Sequence, residues 1–103
     1  MSKPKKVEVS PFRYTVYYSP VTLDDKTGML DTDTRTVVVD GTISEQSQQE
    51  VLLHELLHAI IDTTAIRGQE KDEEEKLVAA LSPPLLQLLR SNPTLVGFLL
   101  DRP

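Results

Sequence analysis

The stretch Glu50–Asp62, EVLLHELLHAIID, constrains this chain more than any other. Its apolar residues fall nearly all round a 3.6-residue period, which predicts a helix buried at the centre of the fold rather than laid on its surface. The preceding SEQSQQE supplies the helix start. Ser44 is a candidate N-cap with Glu45 well placed for the positive end of the dipole, and Ser47 with Glu50 forms a rival capping box. The helix is expected to stop at Gly68. At 103 residues, the remainder makes one domain around it.

Upstream, FRYTVYY (12–18) alternates with period two. It places Phe12, Tyr14, Val16 and Tyr18 on one face and Arg13, Thr15 and Tyr17 on the other, with Pro20 closing the strand. RTVVVDGTI (35–43) is a second strand, its three valines implying burial on both faces, followed by a turn at Asp40-Gly41. MLDTD, after a turn around Gly28, adds a short third strand. Residues 1–11, with two prolines and four charges, read as a flexible lead-in, leaving 12–103 as the folded domain. Downstream, QEKDEEEKLVAAL starts a second helix with an inner stripe of Leu77, Val78 and Leu81, continued by Leu85, Leu86, Leu88 and Leu89. Ser82-Pro83-Pro84 kinks this helix, or ends and restarts it. Asn92 and Pro93 cap and open a short terminal helix. The expected class is α+β: a sheet of two to three strands packed on a central helix, a second Pro-kinked helix and a short third one.

Composition removes several function classes. There is no cysteine, so disulfides, thiolate metal knuckles and cysteine nucleophiles are out. A net charge of −5 argues against a nucleic-acid surface. No apolar stretch follows KPKK as a signal peptide requires, and no apolar run is long enough to span a membrane. The expectation is a soluble cytoplasmic protein.

The chain's two histidines, His54 and His58, both lie in the central helix, four residues apart. That spacing puts both imidazoles on one face, one turn apart, within reach of one ion. Glu55 follows the first, completing the H-E-x-x-H arrangement. Shuffling the composition reproduces it on the order of once in several hundred arrangements. Zn2+ takes two neutral imidazoles and a third protein ligand, leaving a place for water. Glu55, rotated about 100° from His54 around the helix, flanks the ion as a general base. The ion lowers the water's pKa toward 7, and the carboxylate takes its proton and passes it to a leaving amine. The plainer alternative is a pair of core histidines held by hydrogen bonds, which would be costly if left unpartnered.

With no third histidine and no sulfur ligand, the third donor must be a carboxylate from another element. The acidic run Glu70, Asp72, Glu73, Glu74, Glu75 leads the next helix. Glu74, three and four residues before Leu77 and Val78, extends that helix's inner stripe and is the first choice; Glu75 is the second and Glu73 the third. Glu70 lies one turn further out. Most of these carboxylates are simply a solvated helix start. Asp62, four residues after His58, either orients a histidine from outside the ligand set or, more simply, sits exposed near the helix end.

With HELLH followed by EEEKLVAAL, the chain resembles the gluzincin-type zincin metallopeptidases, whose third ligand is a glutamate, and among them the very small versions of bacteria, archaea and phages. The likeness covers roughly residues 12–90 in layout, and His54, Glu55, His58 and one glutamate carry it. It implies a zinc-dependent metallopeptidase with His54, His58 and Glu74 (or Glu75) as ligands, Glu55 as base and a peptide or protein as substrate. In that fold type, substrate commonly adds as a strand to the sheet edge nearest the metal; RTVVVD or GMLDT would supply the edge. Larger relatives steady the oxyanion with a further histidine or tyrosine. Here no histidine remains, and Tyr14, Tyr17 and Tyr18 lie on a strand. The rival from another class is a zinc-holding regulatory module without peptidase activity, acting through the apolar LVGFLL; that segment more simply packs on the protein's own core.

Overall fold

Alternation in the first forty residues builds β1 (Lys6–Val9), β2 (Phe12–Ser19), β3 (Gly28–Asp31) and β4 (Thr36–Asp40). The computed structural model describes residues 3–63 and 74–102, apart from the side chains of Glu74, Glu75 and Val78. The strands form one mixed sheet in the order β1-β2-β4-β3. β2 and β4 run parallel in the centre, while β1 and β3 are antiparallel edges. Three helices follow: α1 (Glu45–Thr63), α2 (Glu74–Ser91) and α3 (Pro93–Leu100). The result is a small α+β domain. α1 lies against β3 and β4, α2 against β1, and α3 against both other helices. The core between the layers is Val7, Val9, Tyr14, Val16, Val37 and Val39 from the sheet against Leu52, Leu56, Ala59, Ile60, Leu88, Leu95 and Phe98 from the helices.

Several expectations need correction. The sheet has four strands rather than two to three. The supposed flexible lead-in of residues 1–11 contains β1, with Val7 and Val9 buried. Its outward backbone groups are satisfied by a residue far along the chain. Asn92 Oδ1 accepts from Glu8 N (2.8 Å), while its Nδ2 donates to Glu8 O (2.9 Å) and Leu88 O (2.7 Å). Asn92 does precede α3, but this side chain closes the β1 edge instead of capping the helix. The three valines of β4 alternate after all: Val37 and Val39 are buried and Val38 is half-buried. α2 runs unbroken through Pro83 and Pro84. Buried Leu88, with half-buried Leu81 and Leu85, packs the helix on the core both before and after the proline pair. The third strand is present as β3, and the β2 face pattern is as expected. Ser44 caps α1, its Oγ accepting from Ser47 N at 3.1 Å. The expected helix end at Gly68 lies outside the described residues. No helix among the described residues is long and apolar enough to cross a membrane.

The crossover from β2 to β3 passes the end of β4, and buried Asp40 fastens it there. The Asp40 carboxylate accepts from Thr42 N (2.8 Å), Thr42 Oγ1 (2.6 Å) and Leu23 N (3.4 Å). It thereby joins the loop feeding β3 to the turn feeding α1. The Thr42 bonds, first the hydroxyl and then the amide, hold the carboxyl below the usual carboxylate range, with Leu23 adding to them and burial opposing. A depressed folded-state pKa contributes stability above the unfolded value of about 4, and this is lost as pH falls through the folded pKa. Asp40→Asn is therefore expected to unfold at lower denaturant than wild type at neutral pH. The gap should narrow below about pH 4; a gap independent of pH would contradict this role.

Candidate metal centre

α1 buries Gln48, Gln49, Leu52, Glu55, Leu56, Ala59 and Ile60 and leaves the flank carrying His54 and His58 exposed. The helix is thus not buried all round, and the histidines are not core residues. The cost of burying unpartnered imidazoles has no bearing here; the case for a metal rests on how the rings stand to each other. Their centroids are 4.8 Å apart with the planes at 68°. Zn–N bonds of about 2.1 Å at near-tetrahedral angles put two ring centroids roughly 5 Å apart. The separation of the rings thus matches the one that a shared ion requires.

Glu55 faces differently. It is buried, against exposed imidazoles on either side of it in sequence. The residue that makes room for it is Gly28, at the start of β3. A β-carbon on Gly28 would lie 2.5 Å from Val51 Cγ1 and 3.3 Å from both Cγ and Oε2 of Glu55. Two clefts meet at this carboxylate. One, of about 490 Å³, is lined by Leu30, Thr32, Glu55, His58, Ile61 and Asp62. The other, of about 390 Å³, is lined by Lys26, Thr27, Gly28, Glu50, Val51, His54 and Glu55. Glu55 thus stands between two openings, with one imidazole in each.

The site lies at the β3 edge. Asp40 N donates to Thr27 O at 2.9 Å, which together with the Gly28–Val39 register makes that pair the non-hydrogen-bonded kind. The N–H and C=O groups of Gly28 and Leu30 therefore point away from β4, out of the sheet. No hydrogen bond from a described residue reaches them. The contrast with the β1 edge, closed by Asn92, is direct. Of the two expected sources of an edge, GMLDT supplies it, while RTVVVD forms the interior β4.

Tyr14 is fully buried, and burial raises its pKa, with Arg35 opposing and Asp62 reinforcing. Tyr18 is pushed strongly upward by burial and donates to Pro4 O at 2.9 Å. Tyr17 is 53% exposed, on the sheet face away from the helices. None lines either cleft at Glu55. Of LVGFLL, Leu95 and Phe98 are buried in the core and only Leu100 is fully outward, so the segment serves this fold rather than presenting an apolar strip. Asp62 is half-buried in the cleft with His58, not exposed at a helix end.

Glu74 and Glu75 open α2, but their side chains, and all of Glu70, Asp72 and Glu73, lie outside the description. Among the described residues no group of three or more His, Asp or Glu is gathered as a metal site. Sequence reading did not reach Gly28 as a site residue, nor Leu30 and Ile61 or Lys26 and Thr27 as cleft walls. Only Glu50 carried a usable signal, its spacing of four before His54.

No protein-family model matches the chain, and no curated protein or solved structure matches it either. The resemblance to gluzincin-type metallopeptidases is accordingly withdrawn. It rested on one short motif plus an unplaced glutamate, and neither a family match nor an assembled three-ligand group among the described residues supports it.

Proposed function

We propose that the protein is a zinc-dependent peptide hydrolase in which His54 and His58 hold the ion, Glu74 (second choice Glu75) completes the ligand set and Glu55 is the general base. The observation that carries the reading is the pair of exposed rings 4.8 Å apart beside a buried carboxylate at an open sheet edge. Zinc, when bound, supplies Lewis acidity and brings a water's pKa toward neutrality. The chain's own residues do the rest. Glu55, held by Gly28 at the junction of the two clefts, takes a proton from the attacking water and returns it to the leaving amine. The outward backbone groups of Gly28 and Leu30 bind an extended peptide as an added strand, which carries its scissile bond past Glu55. Glu74 belongs to α2, a helix packed on α1, and its spacing of three before Leu77 supports it as the third donor.

The test is zinc stoichiometry by native mass spectrometry, paired with hydrolysis of unstructured peptides. A single zinc per chain, lost to chelator together with peptide cleavage and regained with it, is the expected result. Mass and melting temperature that ignore both zinc and chelator would sink the proposal.

A further inference from the structure

α1 carries metal-ligating residue types at every fourth position along one stripe: Glu50, His54, His58, Asp62. Residues four apart share a helix face, with β-carbons about 5–6 Å apart. The outer members of the stripe are both carboxylates and the inner members both imidazoles. The two rings are neighbours, so each has its partner ring on one side and a carboxylate one turn beyond on the other. The clefts repeat this pairing: Glu50 lines one with His54, and Asp62 lines the other with His58.

We infer that Glu50 and Asp62 are positioning residues for the metal-holding imidazoles, Glu50 for His54 and Asp62 for His58. The inference rests on the metal reading above and goes beyond it. An imidazole that gives one nitrogen to an ion carries its proton on the other. A carboxylate accepting that N–H sets the tautomer, fixes the ring and makes it a better ligand. Glu55 is off the stripe, turned toward Gly28, and serves a different purpose. One helix thus carries both kinds of carboxylate: two in line with the rings to hold them, and one out of line as the base.

The experiment is zinc affinity of the full chain, measured by competition with a chromophoric chelator, with unfolding of each metal-free variant read alongside. Glu50→Ala and Asp62→Ala are each expected to weaken zinc about 10–100-fold. Glu50→Gln and Asp62→Asn keep an acceptor oxygen and are expected to recover most of that loss. Glu45→Ala, on the same helix but off the stripe, removes one negative charge and is expected to leave zinc affinity unchanged. The zinc losses should not follow the metal-free melting temperatures. Wild-type affinity in both alanine variants overturns the inference while leaving the metal reading standing, as does a loss in the Gln and Asn variants equal to that in alanine. A wild-type chain that binds no zinc removes the metal reading, and this inference with it.

Discussion

Glu55→Gln is expected to keep its zinc and lose peptide hydrolysis by about 10²–10⁴-fold, the usual range for removing a general base. The amide has nearly the shape of the carboxylate, so the packing around Gly28 and Val51 is preserved. It cannot take a proton from water, which is the only function the substitution removes. The two imidazoles are on the exposed flank of α1 and do not depend on Glu55 for their placement. Stability should not fall, because a carboxylate that is 9% exposed gives way to a neutral group that is cheaper to bury. The measurements are zinc content, melting temperature and cleavage rate on the same preparation. Wild-type turnover with zinc bound would take Glu55 out of the chemistry. Loss of zinc together with activity would mean that Glu55 holds the metal instead.

What the sequence disclosed about this site is local, and what it concealed is long-range. The helical phase of His54, Glu55 and His58 follows from their spacing alone, as does the Ser44 cap, because both depend on residues within one turn. The period-two face of β2 is equally self-contained. By contrast, KVEV looked like part of a loose N-terminus because the residue that satisfies its outer edge, Asn92, lies 84 positions further on. The burial of α1 was over-read for a related reason. A helix rich in leucine can bury one broad side and still leave two histidines in solvent, and hydropathy does not say which side the sheet covers. That β3, not β4, forms the open edge depends on the crossover fastened by Asp40, a feature of topology with no local signature. Gly28 read as an ordinary turn glycine, since only the approach of α1 from later in the chain gives its missing side chain a purpose.

That purpose leads to the second large effect. Gly28→Val is expected to destabilise the protein by about 1–3 kcal/mol, the usual cost of overpacking a filled site. For a chain of this size that lowers Tm by about 4–8 °C per kcal/mol. Two effects oppose one another here. Replacing glycine within a strand restricts the unfolded chain and favours extended structure, worth up to about 1 kcal/mol in the stabilising direction. Against this, the first carbon of any side chain at position 28 would come within 2.5 Å of Val51 Cγ1. Val51 is β-branched and stiff at χ1, so it yields only by shifting α1 or β3. The clash therefore wins, and the shift falls on the contact that seats Glu55 at 3.3 Å from the same point. Hydrolysis should drop further than stability alone explains, while zinc, held by the exposed imidazoles rather than by Glu55, stays bound. Trimming the obstacle tests the cause. Val51→Ala combined with Gly28→Ala should be more stable than the sum of the two single changes predicts, because it removes the atom in the way. Strict additivity, or a Gly28→Val protein that melts and cleaves like wild type, would show that β3 does not depend on this glycine to approach the helix.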